Sequence, residues 1–122
     1  MAKVLGVGGI FFKTQDPKKL IDWYAQHLGV EINEHGGVQF HFKDAPKDAM
    51  TVFSPFPADT EYFDPAKNDF MINLIVDDLD GALAQVKQGG AEIVGEIEEY
   101  DYGRFGWFID PEGNKIELWQ IP

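Results

Sequence analysis

The sequence predicts an α+β protein built from two copies of one strand–helix–strand–strand–strand unit. Two observations carry that prediction. Two amphipathic stretches each open on aspartate and close on glycine, Asp16 to Gly29 and Asp78 to Gly89-Gly90, and each is flanked by segments with strand composition. Asp44 and Asp110 then open equivalent turns ahead of the last strand of each unit. Identities between the units are few, so the repeat is one of pattern.

The elements follow in order. Val7 to Thr14 reads as a strand. Asp16 is a good N-cap and Pro17 suits the first helical position. Leu20, Trp23, Tyr24 and Leu28 recur at helical spacing up to Gly29. Val30 to Ile32, Val38 to Lys43 and Ala49 to Ser54 read as strands, separated by Gly36-Gly37 and by Asp44 to Asp48. Module one therefore covers about 1–56. Residues 57–69 follow as a linker rich in proline and acids, and module two covers about 70–122. In module two, Phe70 to Val76 reads as a strand. Asp78 caps a helix bearing Leu79, Ala82, Leu83 and Val86, Ala91 to Ile97 is a strand, and Glu98 to Gly103 a loop.

A hairpin closes the chain. Phe105 to Ile109 is aromatic and β-branched, and Lys115 to Gln120 alternates polar and apolar residues. Between them, Pro111 fixes φ, while Gly113 and Asn114 tolerate positive φ. Centring the turn on Glu112 sets Trp107 opposite Glu117, with Phe105 and Trp119 on the same face.

Composition bounds the function. The chain has 122 residues, a size for one domain, with 44% hydrophobic and 14% aromatic residues, enough to build a core. Ten Lys+Arg against 21 Asp+Glu give a formal net charge of −11, which argues against nucleic acid and permits cationic partners. There is no Cys, hence no disulfide or thiolate, and this fits a cytoplasmic protein. The N-terminus lacks the length and cleavage region of a signal peptide, and no apolar run is long enough for a membrane span.

Ile10-Phe-Phe-Lys-Thr-Gln-Asp16, Trp23-Tyr24 with Leu28-Gly29, Val76-Asp-Asp-Leu-Asp80, Gly89-Gly-Ala91 and above all Phe108 to Leu118 resemble the vicinal oxygen chelate superfamily of glyoxalases, bleomycin resistance proteins and dioxygenases. The resemblance covers nearly the whole chain. It implies duplicated βαβββ modules, each with a curved mixed sheet covered by a helix and together forming a cavity. It also implies a homodimer and a small-molecule ligand or substrate. The superfamily holds isomerases, dioxygenases, transferases and binding proteins, so fold alone does not select among them.

Metal-using members place two ligands per unit, usually His on the first strand and Glu on the last. Those positions fall here on Gly9 and Met71 (or Phe70 in the other register), and on Thr51 and Glu117. Only Glu117 is a normal ligand type, with His41 a neighbour of Thr51 across its hairpin. The expectation is therefore a site without cofactor or metal, a His41–Glu117 metal pair being the weaker alternative. Alternation turns Gly9, Phe11, Lys13, Met71, Asn73 and Ile75 inward, and the hairpins add Gln39, His41, Thr51, Phe53, Phe105, Trp107, Glu117 and Trp119. Tyr100, Tyr102 and Arg104 lie on the loop before the hairpin, where they could close over a ligand.

A mostly aromatic wall with few polar groups suits a small, cationic or aromatic ligand. Glu117, with His41, is the candidate acid, base or cation partner. The competing enzyme reading is a metal-dependent lyase or isomerase of the glyoxalase type. The plainer reading makes the rings core residues and Glu117 one half of a buried pair with Lys13, Arg104 or His41.

Overall fold

A computed structural model describes all 122 residues. The chain forms two helices and one open four-stranded sheet. Helix α1 is Pro17–Leu28, strand β1 Ile72–Ile75, helix α2 Leu79–Gln88, and strands β2, β3 and β4 are Glu92–Tyr100, Gly103–Ile109 and Lys115–Gln120. The sheet order is β1-β4-β3-β2. β1 runs parallel to β4, and β3 pairs antiparallel with both β4 and β2.

Both helices start as the sequence predicts. The Asp16 carboxylate accepts from the backbone N–H of Lys19, and the Asp78 carboxylate accepts from that of Gly81. Gly29 ends α1 at φ 69°, a left-handed conformation that costs glycine nothing. The helices pack side by side on one sheet face. Trp23 donates from Nε1 to the Gly89 carbonyl at 3.0 Å, and Gln85 donates to the His27 carbonyl at 2.8 Å. Leu20, Tyr24, Ile72, Leu79, Ala82, Val86, Phe108, Ile116 and Leu118 form one buried cluster between helices and sheet, with Leu74 and Val76 packed against it. Strand alternation therefore assigns Ile72, Leu74 and Val76 to the helix side as expected, and leaves the other face of the sheet free of helices.

The duplication is seen in part: each unit contributes its helix, but only the second contributes a sheet. The strands expected at Val7 to Thr14, Val30 to Ile32, Val38 to Lys43 and Ala49 to Ser54 do not form. Ile32 and Val38 make one isolated bridge, and Phe42–Asp44 is a single 3-10 turn. Alternation supplies a face, but a strand also needs a neighbouring backbone, and within one chain these segments meet only that single bridge. Their large side chains stay exposed, Phe11 at 95% and Phe53 at 89%.

Glu98 to Gly103, expected as a loop, is strand at both ends. β2 continues to Tyr100, and a bulge between Val94 and Glu98 shifts its register against β3. Gly95, at φ 69°, allows that bulge.

Candidate functional site

The β3–β4 turn is built around one carboxylate. Asp110 is buried, and its Oδ1 accepts from the backbone N–H groups of Glu112 and Asn114, both at 2.9 Å. Its Oδ2 accepts from the Tyr24 hydroxyl at 2.8 Å and from the Asn114 side-chain amide at 2.9 Å. Four donors on one carboxylate lock the turn and tie it to α1. Burial, with the adjacent Asp110 charge, pushes the Tyr24 phenol well above its ordinary range.

That locked turn sets the hairpin register. Trp107 lies opposite Glu117 and Phe105 opposite Trp119, as centring the turn on Glu112 predicts. On the helix-free face Glu117 is buried with three donors. Its Oε1 accepts from Asn73 Nδ2 at 2.7 Å, and its Oε2 accepts from Trp107 Nε1 at 2.8 Å and from the Tyr62 hydroxyl at 2.5 Å. Asn73 reaches it because β1 and β4 pair in parallel with these two residues in register.

Lys115, two residues before Glu117 on the same face, is also buried. Its ammonium donates to the Tyr62 carbonyl at 2.5 Å and lies 5.2 Å over the Tyr62 ring and 5.8 Å over that of Trp107. Loss of solvent lowers its pKa, against the upward pull of Glu117, Asp64 and Glu98. Burial and the hydrogen bond to Glu117 push the Tyr62 phenol upward.

The other end of the face is a ring cluster. Phe105 stacks on Trp119 at 5.7 Å, Tyr100 stacks on Tyr102 at 5.2 Å, and both tyrosines meet Phe105 edge-on. Trp119 is held by its Nε1 bond to the Tyr102 carbonyl at 2.9 Å. Glu98 accepts from the Tyr100 hydroxyl, which puts a second carboxylate beside these rings. Two shallow surface clefts are present, the second of them touching Trp107. One, of about 450 Å³, runs along α1 from Asp16 to Gln26, and the other, of about 370 Å³, opens at the β2 bulge.

Of the residues singled out in the sequence, Glu117, Trp107, Asn73, Phe105 and Trp119 come together on this face, and Met71 lies half-buried just before β1. Phe11, Lys13, His41, Thr51 and Phe53 are exposed outside the described contacts of Glu117. Arg104 turns to the opposite side and pairs with Asp80 at 2.9 Å and Glu99 at 2.8 Å. Glu117 is thus paired with none of Lys13, Arg104 or His41. Sequence reasoning missed Tyr62 and Lys115. Strand alternation carried the signal for Lys115, but Tyr62 lies in the expected linker, where no periodicity marks it.

The donor set around Glu117 does not fit a resident divalent metal. Both oxygens accept from N–H or O–H groups, and no three His, Cys, Asp or Glu side chains converge anywhere in the chain.

The helix-covered sheet with its parallel edge strand and closing hairpin matches one unit of the fold expected of the vicinal oxygen chelate superfamily. The family model for a glyoxalase-like domain matches residues 9–119, and the chain belongs to that family. No curated protein matches it.

Among solved structures, a member of the glyoxalase/bleomycin resistance protein/dioxygenase superfamily from Sphaerobacter thermophilus is 26% identical over 98% of each chain, with a TM-score of 0.51. TnmS3, an antibiotic binding protein from Streptomyces sp. CB03234, is 24% identical over 89% of each chain at a TM-score of 0.53, and so shares the fold. A protein of unknown function from Agrobacterium tumefaciens aligns over 95% of this chain and 98% of its own at 18% identity and a TM-score of 0.58. Other alignments are partial: that with a glyoxalase family protein from Bacillus cereus spans 39% of the latter. No helix is long and apolar enough to cross a membrane.

Proposed function

We propose that the chain is a small-molecule-binding protein of the glyoxalase/bleomycin-resistance type. Its helix-free face would take a planar aromatic ligand bearing positive charge, without a resident metal. The observation that carries this reading is the face itself. Phe105, Tyr100 and Tyr102 present rings beside the exposed Glu98 carboxylate, backed by the buried Trp107, Trp119 and Glu117. Rings stack on planar groups, and an exposed carboxylate beside them, here Glu98, favours a cation. The net charge of −11 acts in the same direction. The antibiotic binding protein with this fold, TnmS3, lends support from outside the chain.

The proposal includes a homodimer. Phe11 and Phe53 are left almost fully exposed, while β1 and β2 are open sheet edges. A second copy would cover them and could bring Phe11, Lys13, His41, Thr51 and Phe53 toward the face. The metal-dependent lyase reading is disfavoured because the donors on Glu117 leave a metal little room.

Tryptophan fluorescence titration with a planar aromatic cation such as proflavine, without added metal, tests the reading. Saturable quenching is expected. Absence of quenching, or turnover of an oxygenated substrate appearing only with added divalent metal, overturns it.

A further inference from the structure

Tyr62 shows what the Glu117 end of the face accepts. Asn73, Trp107, Lys115 and Glu117 belong to the sheet or its strand ends, whereas Tyr62 comes from the segment between the two units. The sheet aims a carboxylate, steadies it with two N–H donors, and sets an indole and an ammonium beside it. A phenol then completes the arrangement. Its hydroxyl donates to Glu117 Oε2, its ring stands edge-on to Trp107 at 6.3 Å and 90°, and its own carbonyl accepts from Lys115. One tyrosyl unit is thus gripped at both ends, by an acceptor at its hydroxyl and a donor at its carbonyl.

The segment that delivers it is lightly held. It contains no helix or strand, and its internal backbone bonds are isolated turns from Thr60 to Pro57, Asp64 to Glu61 and Ala66 to Phe63. Apart from Tyr62, its polar tie to the hairpin is the bond from Asn68 to Asn114 at 2.7 Å. Phe56 and Phe63 pack against each other and against Tyr62, and Tyr62 remains 40% exposed. Weakly tied segments of this kind open at low free-energy cost.

We propose that Glu117, Trp107, Asn73 and Lys115 form a phenol-recognising subsite, that Tyr62 is its internal occupant, and that the ligand displaces Tyr62 with a phenol carrying a carbonyl acceptor at tyrosine-like spacing. This rests on the small-molecule-binding reading and names the head group that enters first. A ring without the hydroxyl leaves the buried carboxylate short of a donor, so the site discriminates by about 10- to 100-fold. Tyr62 competes with the ligand, and the apparent affinity falls with the fraction of molecules it occupies.

Calorimetric titration with N-acetyl-tyrosinamide, against N-acetyl-phenylalaninamide and the O-methyl derivative, tests the inference on three proteins. Wild type is expected to prefer the free phenol at least tenfold. Tyr62→Phe weakens the internal competitor and should bind the phenol several-fold more tightly than wild type. Tyr62→Phe/Glu117→Gln should lose the preference. Equal binding of the three compounds, or unchanged affinity in Tyr62→Phe, overturns the inference. If proflavine still binds in that case, the proposed function stands without it, and if neither class of compound binds, both fall.

Discussion

Trp107 and Glu117 stand directly opposite each other on β3 and β4, and the indole Nε1 donates to the carboxylate at 2.8 Å. The bond joins a buried indole to the one carboxylate buried on that face. With Asn73 and Tyr62, every neighbour of Glu117 is a donor. Glu117→Gln would turn an amide N–H₂ toward one of them. The expected result is a loss of about 1.5–3 kcal/mol, read from urea midpoints, together with weakened ligand binding. A wild-type midpoint would show that these bonds do not contribute to the fold.

The Asp110 carboxylate is structural. Asp110→Asn would set an N–H₂ group against donors already committed to the turn, from Tyr24, Glu112 and Asn114. A loss of about 2–3 kcal/mol is expected in chemical denaturation. Proflavine binding per folded molecule should persist, because the carboxylate does not line the helix-free face.

Tyr24 predicts a pH dependence. Its folded pKa is raised above the ordinary 10.0 by burial and then by Asp110. Its stabilisation is therefore complete below pH 10.0 and falls as pH rises toward the folded value, by about 1.4 kcal/mol per pH unit. Lys115 works the other way: its pKa is lowered, so its contribution grows with pH up to 10.5. Urea midpoints of wild type and Tyr24→Phe between neutral and strongly alkaline pH isolate the tyrosine. The variant should be weaker at neutral pH and flatter above pH 10. Parallel curves would contradict the assignment.

Gly103 starts β3 at φ 139°, and a methyl group there would lie 2.3 Å from Trp119 Nε1 and 2.7 Å from the Gln120 carbonyl oxygen. Backbone cannot yield as a flexible side chain does. Gly103→Ala should cost about 2–4 kcal/mol and break the Trp119–Tyr102 bond. Thermal unfolding and a shift in tryptophan emission report the two effects.

The second unit was legible because its signals are local. Asp78 caps α2, Gly113 and Asn114 close the hairpin, and Asp110 fixes its register, so Trp107 and Glu117 could be paired from residue numbers alone. The first unit carried the same alternation, yet Phe11, Phe40 and Val52 remain exposed, because pairing depends on a partner that the pattern does not contain. The approach of Tyr62 to Glu117 was illegible for another reason. It joins residues 55 apart through a segment without periodicity, and only the folded sheet creates the acceptor that it meets. Arg104 was misplaced because its strand position turns it to Asp80 on α2.

The turn at residues 110–114 has a consequence for how the protein is made. Gln15 donates its backbone N–H to Glu112 across 97 residues, Tyr24 reaches Asp110 across 86, and Asn68 reaches Asn114 across 46. On the ribosome, the first helix is complete long before any of these acceptors has been synthesised. Its apolar side can meet α2 once Gly89 has emerged, and the hairpin only after residues 103–120 have followed. Over that interval the first helix has α2 alone to cover its apolar side, and the polar ties to residues 110–114 form only afterwards.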